Sequence, residues 1–345
     1  VNTTHPKLLA GALALALLGG AQDAIAQDDP CFPRDGFSTC IASDNLWPQV
    51  GGPRWLSQAS THTAPESSAA FGLVPTYYLR PIGLRIASAD PEGTTVYAVE
   101  NAVASTFLLG IGVTDRLQLH LAAPVVLYQD GASKTDIVGS DQALPRSAVG
   151  DLRFGAAFAI VQRAPLEEGF GLAGRFEMAA PTGVSEAFTG FPTATYAPGL
   201  TADYHIAGFT VGVDAGARIR EYVKLAGAAI GTQISASVGV SYDFFDDSLL
   251  SANLEAWALI STLQQNDLVV EPGQFVAEEQ PSSTPHIPME WMLSLRTASL
   301  IDGRFRASLG GGSFIPTGSD LPVTTPAFRL AAGVHYIFSY GDDED

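Results

Sequence analysis

The chain of 345 residues carries 36 Asp and Glu against 18 Lys and Arg, a net charge of -18, with 46% hydrophobic residues, only 16% charged residues and 35 glycines. That acidic balance excludes nucleic acid as a partner, because phosphate binding draws on clustered Lys and Arg, and the apolar content excludes wholesale disorder. The charged fraction is low beside the ~25% of ordinary soluble domains, and the basic residues are lopsided, three Lys against fifteen Arg.

Taken from the start, Lys7 precedes an apolar run from Leu8 to Leu18, and Ala24-Ile25-Ala26 places small residues where a signal peptidase reads. The run is too short for a membrane-spanning helix, which takes about 20 residues. Residues 1–26 are therefore expected to be a cleaved export signal. Export leads to an oxidising compartment, in which Cys31 and Cys40 pair across a short loop. Two Cys alone cannot complete a zinc site, so no metal is expected, and no motif asks for a cofactor. Residues 27–68 have no hydrophobic period. They are expected to form an irregular periplasmic segment tied by the disulfide, with Trp47 and Trp55 as anchors; entry into a barrel lumen from the periplasm as a plug is the alternative.

From Phe71 onward the period is two. In Gln233–Phe244, Ile234, Ala236, Val238, Val240, Tyr242 and Phe244 oppose Gln233, Ser235, Ser237, Gly239, Ser241 and Asp243. The same alternation marks Phe209–Arg220 and Phe328–Phe338. Such segments lie near 71–87, 97–113, 116–128, 149–162, 169–180, 194–206, 208–221, 230–244, 248–260, 287–299, 304–315 and 327–338, about twelve in all. Short joints alternate with mostly longer polar ones, as in outer-membrane barrels with tight periplasmic turns and longer outer loops. The expected fold is all-β, a transmembrane antiparallel up-and-down barrel of about 12 strands over residues 69–338, with both termini periplasmic and an acidic tail over 339–345. A break in the alternation near Pro81 predicts a bulge.

The phase of the strands also assigns the Arg excess. Arg80, Arg116, Arg153, Arg175, Arg218, Arg220, Arg296, Arg304, Arg306 and Arg329 fall on the polar face, with Glu100, Asp151, Glu177, Asp203, Asp214, Asp243, Glu255 and Glu290. Charges of this kind facing lipid at mid-membrane cost roughly 2–4 kcal/mol each for Arg or Lys, so all are expected to line the lumen. They form either an ion-pair lattice between strands or a selectivity zone for a polar or anionic solute. The acidic excess is left to the loops and the tail. Gly155, Gly171, Gly212, Gly216, Gly239, Gly310 and Gly312 on the same face leave room inside. Tyr336 and Phe338 close the last strand as an aromatic pair, either an interface girdle or an assembly signal for the barrel-insertion machinery. The chain has neither a Gly-x-Ser-x-Gly elbow nor a His placed two residues before a Ser, and no enzymatic role is expected.

Several stretches resemble a family. Tyr97-Ala98-Val99-Glu100-Asn101, Gly112 to Leu119, Ala123 to Tyr128, Val149 to Ala156, Ala180-Pro181-Thr182-Gly183 and Pro326 to Leu330 are similar to Gram-negative transporter-like outer-membrane barrels. These include the meta-pathway phenol-degradation group and the barrel modules of outer-membrane-protein-A-type proteins. Gly150-Asp151-Leu152-Arg153 and Pro181-Thr182-Gly183 are the specific pieces. The resemblance implies a cell outer membrane location, lipid as surroundings, and porin- or channel-like passage of small solutes, hydrophobic compounds among them. The competing role is a non-conducting structural or surface-interaction protein that acts through its outer loops.

Overall fold

The computed structural model describes residues 31, 37–50, 54–86, 94–133, 143–163, 167–225, 228–244, 249–263, 266–269, 278–281, 287–298, 300, 304–316 and 323–339. The export signal over 1–26 and the acidic residues after Ser339 lie outside them. Twelve long strands follow one another: β1 (Ser68–Ile86), β2 (Thr94–Thr114), β3 (Leu117–Asp130), β4 (Arg153–Val161), β5 (Gly169–Ala179), β6 (Thr195–Ile206), β7 (Phe209–Arg218), β8 (Gln233–Phe244), β9 (Leu250–Ser261), β10 (Met289–Thr297), β11 (Phe305–Phe314) and β12 (Phe328–Ser339). Each pairs antiparallel with its neighbours in sequence, and β1 also pairs with β12, Ser68 facing Ser339 and Leu79 facing Phe328. The sheet is thus closed into a twelve-stranded up-and-down barrel, as the period-two pattern predicts.

Alternation explains why this sequence closes in this way. Leu119, Leu200, Val213, Leu254, Leu293 and Leu309 point outward, between 49% and 65% exposed, while their strand neighbours, small or polar apart from Met292, are turned inward. A continuous apolar belt of this kind is stable in lipid and not in water. Among the described residues no helix is long and apolar enough to cross a membrane; the strands do the crossing. Tyr336 and Phe338 sit one above the other on β12 with ring centroids 6.1 Å apart.

Local irregularities fall where the sequence breaks its own pattern. The β1–β2 register shifts between Leu79 and Ile82, and Arg80 has φ of 53°, which is the bulge expected near Pro81. Opposite, β3 contacts the short strand Ala148–Val149 and then β4, with Gly150 N–H donating to the Pro124 carbonyl at 2.8 Å. Two small hairpins, Val223–Leu225 with Ala228–Ile230 and Asn266–Val269 with Glu278–Pro281, rise from the long-connection end.

Residues 37–50 and 54–67 are not outside the barrel. Phe37 bridges to Leu225 and Ala42 to Thr189, both at the long-connection end, whereas Thr63 Oγ1 donates to the carbonyl of Asp115 in the tight β2–β3 turn. The segment therefore runs down the lumen from one end to the other before β1 turns back up the wall. Short turns mark the periplasmic end, so the described part of this segment starts at the outer end. Residues 37–50 and 54–67 thus lie in the lumen, where a periplasmic position was expected for the segment 27–68. The Cys31–Cys40 disulfide is present, and Cys31 Sγ contacts Ser185 Oγ, again at the outer end. The physical reason is area: a twelve-stranded wall lined with Gly, Ala and Ser cannot fill its own interior, and the segment supplies the missing side chains.

The plugged lumen as candidate functional site

The plug is held on two sides by different physics. Leu46, Val50 and Leu56 pack with Ala70, Val74, Leu108, Ala122, Trp257, Met292 and Ala331 of the wall, and Phe37 and Ile41 pack with Tyr78, Val126, Phe188 and Leu225 nearer the outer end. Each fully buried apolar side chain contributes about 1.5–3 kcal/mol, against about 1–2 kcal/mol of backbone entropy for every residue ordered. Docking is therefore a near balance, and polar contacts decide it.

Those contacts come from the inward charges. Glu255, 1% exposed, accepts hydrogen bonds from Leu56 N–H at 3.0 Å, Ser57 N–H at 2.8 Å and Ser57 Oγ at 2.5 Å. Asp203 receives Thr61 Oγ1 at 2.5 Å and pairs with Arg163 at 2.7 Å. Asp243 pairs with Arg54 of the plug at 2.5 Å and accepts from Ser251. Arg153 and Arg218 both stack on Trp47, 4.7 and 4.2 Å from its ring, and donate to the carbonyls of Pro48 and Asn45. Arg329, wholly buried, pairs with Glu290 at 2.9 Å across the wall, and its Nη1 lies 2.8 Å from Asp44 of the plug without hydrogen-bond alignment. Arg175 pairs with Asp214 at 2.7 Å, and Glu177 lies between Arg153 and His120 at 3.5 and 3.4 Å.

The wall is cut to receive the plug. A Cβ added at Gly212 would lie 2.5 Å from the Trp55 ring and from Gln58 Nε2, one at Gly239 2.5 Å from Trp55 Nε1, and one at Gly171 2.7 Å from Thr61 Oγ1. The room left at Gly171, Gly212 and Gly239 is thus occupied by the plug, whereas Gly155, Gly216, Gly310 and Gly312 abut neighbouring strands of the wall. Substituting Gly212→Val should overpack the site by about 1–3 kcal/mol and raise the undocked population about tenfold. Trypsin cleavage after Arg54 in refolded protein reads this directly; an unchanged cleavage rate would contradict the contact.

The expected lumen charges divide. Asp151, Arg153, Glu177, Asp203, Asp214, Arg218, Arg220, Asp243, Glu255, Glu290 and Arg329 are buried inside, and Arg175, Arg296 and Arg306 are half-buried. Four are not part of that set. Arg116 and Arg304 are exposed, each in the turn next to its strand. Arg80 and Glu100 pair with each other at 3.2 Å beside the bulge, their side chains 43% and 44% exposed. Alternation fails as a guide at strand ends and bulges, and these residues sit at both. The residues that alternation missed, Arg54, Arg163 and Asp44, lie in the plug and in a tight connection, where no period exists.

The two specific motif pieces meet in space. Gly183 N–H donates to Asp151 Oδ1 at 2.8 Å, Leu152 N–H to Thr182 Oγ1 at 2.9 Å, and Thr182 Oγ1 to the Gly150 carbonyl at 3.2 Å. Phe191 N–H fills the other Asp151 oxygen at 2.9 Å. Gly183 and Gly190 are needed here, since a Cβ at either would fall within 2.9 Å of Asp151 Oδ1. The pair of motifs thus locks the β5–β6 connection onto the rim beside the lumen. Between plug and wall remain crevices of about 70 Å³ and about 40 Å³.

No protein-family model and no curated protein matches the chain. Solved structures do. A porin structure, NanC, aligns over 77% of this chain and 98% of its own at 8% identity and a TM-score of 0.44. The Ralstonia pickettii toluene transporter TbuX aligns over 80% and 90% at 11% identity and 0.39. An outer membrane channel from Pseudomonas putida F1 aligns over 82% of this chain and 100% of its own, at 14% identity and a TM-score of 0.53. At these identities the likeness is one of fold, carried by the last of the three: the chain has the fold of an outer-membrane β-barrel.

Proposed function

We propose that the protein is a gated channel for small solutes, closed in this conformation by residues 37–50 and 54–67. The observation that carries this reading is the division of labour between wall and plug. The wall gives up its own side chains at Gly171, Gly212 and Gly239, and a separate segment, held by a limited set of polar contacts, fills the space. A barrel that served only as a scaffold could fill its lumen from the wall. Membership of the phenol-degradation group, and with it passage of hydrophobic compounds, is supported by the interlocked Gly150–Arg153 and Pro181–Gly183 motifs.

Planar-bilayer recording tests the reading. Refolded full-length protein is expected to be mostly closed, with brief conductance steps that lengthen when the plug is weakened. Silence from both the full-length protein and a plug-deleted form, each migrating as a folded barrel, would favour the non-conducting surface-interaction role instead.

A further inference from the structure

We infer that acid releases the plug: protons on His335 of β12 and on His62 of the plug set new positive charges among the guanidinium groups that crowd the periplasmic half of the lumen. The inference rests on the channel reading for the consequence of release, an open lumen, and not for the release itself.

Four imidazoles lie inside the barrel among the described residues, and their surroundings separate them. His120 Nε2 is 3.4 Å from Glu177, a counter-charge already in place. His205 Nδ1 meets Thr210 Oγ1 at 2.8 Å, and the charges around it balance, Arg54 and Arg163 against Asp243 and Glu168. His335 and His62 have no such balance. His335 is 5% exposed and lines a crevice of about 10 Å³ with Arg54, Trp55 and Leu56 of the plug, room for one water at most. Its Nδ1 has no hydrogen-bond partner among the described residues, and a Cβ at Gly72 would lie 2.8 Å from that atom, so the ring is packed tightly against β1. Arg306 faces it on β11, Arg296 acts on it from β10, and Arg54 comes from the plug; β1 brings no charge at Gly72. His62 is half-buried and follows Thr61, whose hydroxyl holds Asp203. Arg54, Arg163 and Arg306 act on its ring against Asp203, three to one, or three to two with the Asp243 that pairs with Arg54.

In the docked state a proton on either ring adds a like charge where water barely reaches and repulsion is screened least. On His335 Nδ1 it also makes a buried donor without an acceptor. Release takes Arg54 away from His335, carries His62 into water and hydrates the lumen. The released state therefore binds protons that the docked state excludes. By linkage, docking weakens as pH falls through the range near ~6.5 where an imidazole ordinarily titrates. Ordinary carboxylates titrate below that window, at about 4.

Hydrogen exchange of plug residues 54–67 in detergent-solubilised full-length protein, corrected for the intrinsic pH dependence of exchange, reads docking at about pH 7.5 and about pH 5. A wholly excluded proton weakens docking by up to about 30-fold per imidazole over that span. Protection of the Leu56 and Ser57 N–H groups, which bond Glu255 when docked, is therefore expected to fall at least about tenfold. In His62→Gln combined with His335→Gln the fall should shrink to about threefold or less, with heat-modifiable gel migration confirming the barrel at both pH values. Unchanged protection in the unaltered protein would overturn the inference. So would an equal fall in the folded double variant, which would assign the effect to carboxylates. Should the double variant not fold, His62→Gln alone decides: the fall must lessen by at least about threefold, and a fall as large as in the unaltered protein overturns the inference. Exchange needs no current, so its outcome is separate from that of the bilayer recordings.

Discussion

Deleting residues 31–64 is expected to convert a mostly closed barrel into a steadily conducting one. Twelve strands spaced about 4.8 Å apart and tilted about 40° close on a backbone cylinder of roughly 12 Å radius. Inward side chains take about half of that radius, which still leaves an aqueous path once the plug is gone. The wall at plug contacts is small: Gly171, Gly212 and Gly239 have no side chain to collapse into the space. Mean current at fixed voltage should therefore rise at least about tenfold over the full-length protein, since the comparison is between an obstructed and an open lumen. The exposed lumen would carry Glu255, Asp203 and Asp243, stripped of their plug donors, beside the Arg groups. Reversal potentials in a salt gradient would then report which sign prevails. Unchanged current in the deleted form would mean that the wall closes on itself and that the plug is structural filling.

The barrel was legible in the sequence because its physics is periodic. Lipid outside and polar groups inside impose opposite demands on successive residues, so Ile234 and Gln233, or Val213 and Asp214, announce their faces without any structure. The bulge at Arg80–Pro81 was legible for the same reason, as a break in the period. The plug was not. Its contacts use backbone groups, the carbonyls of Asn45 and Pro48 and the N–H groups of Leu56 and Ser57, which leave no mark in a sequence. What signal there was lay in pairs that had to be read together: a Trp in an aperiodic segment, and glycines at inward positions of β7 and β8 that only a bulky visitor would require. Charged residues of the polar face are buried along strand centres and exposed at Arg116 and Arg304, where a turn frees the side chain from the pleat.

The ion pairs also resolve into two kinds once the plug is in place. Arg175 with Asp214 joins wall to wall, as an inter-strand lattice would. Arg54 with Asp243, and the two oxygens of Glu255 with the plug backbone, join wall to plug. Arg329 belongs to both kinds, and the largest effect of a single substitution is expected there.

Arg329→Met is expected to lower the unfolding free energy by about 3–5 kcal/mol, the usual cost of removing one partner of a buried pair. Glu290 is 1% exposed and has Arg329 as its ion-pair partner across β10, β11 and β12, so the substitution strands a carboxylate inside the wall. Asp44, with 23% of its side chain exposed beside the crevice, can keep its hydration. Glu290→Met combined with Arg329→Met removes both charges and should recover most of the loss, because two apolar groups of similar volume leave no polar group of the pair buried and unpaired. Asp44→Asn should change unfolding little, within about 0.5 kcal/mol as for other partly exposed pairs, while increasing trypsin cleavage after Arg54 through a looser plug. Urea unfolding in lipid vesicles, followed by tryptophan fluorescence, measures all three. If the double variant is as unstable as Arg329→Met alone, the cost comes from lost packing of the Arg329 stem against Tyr78 rather than from the stranded charge. The wall and the plug would then be coupled through shape and not through Arg329.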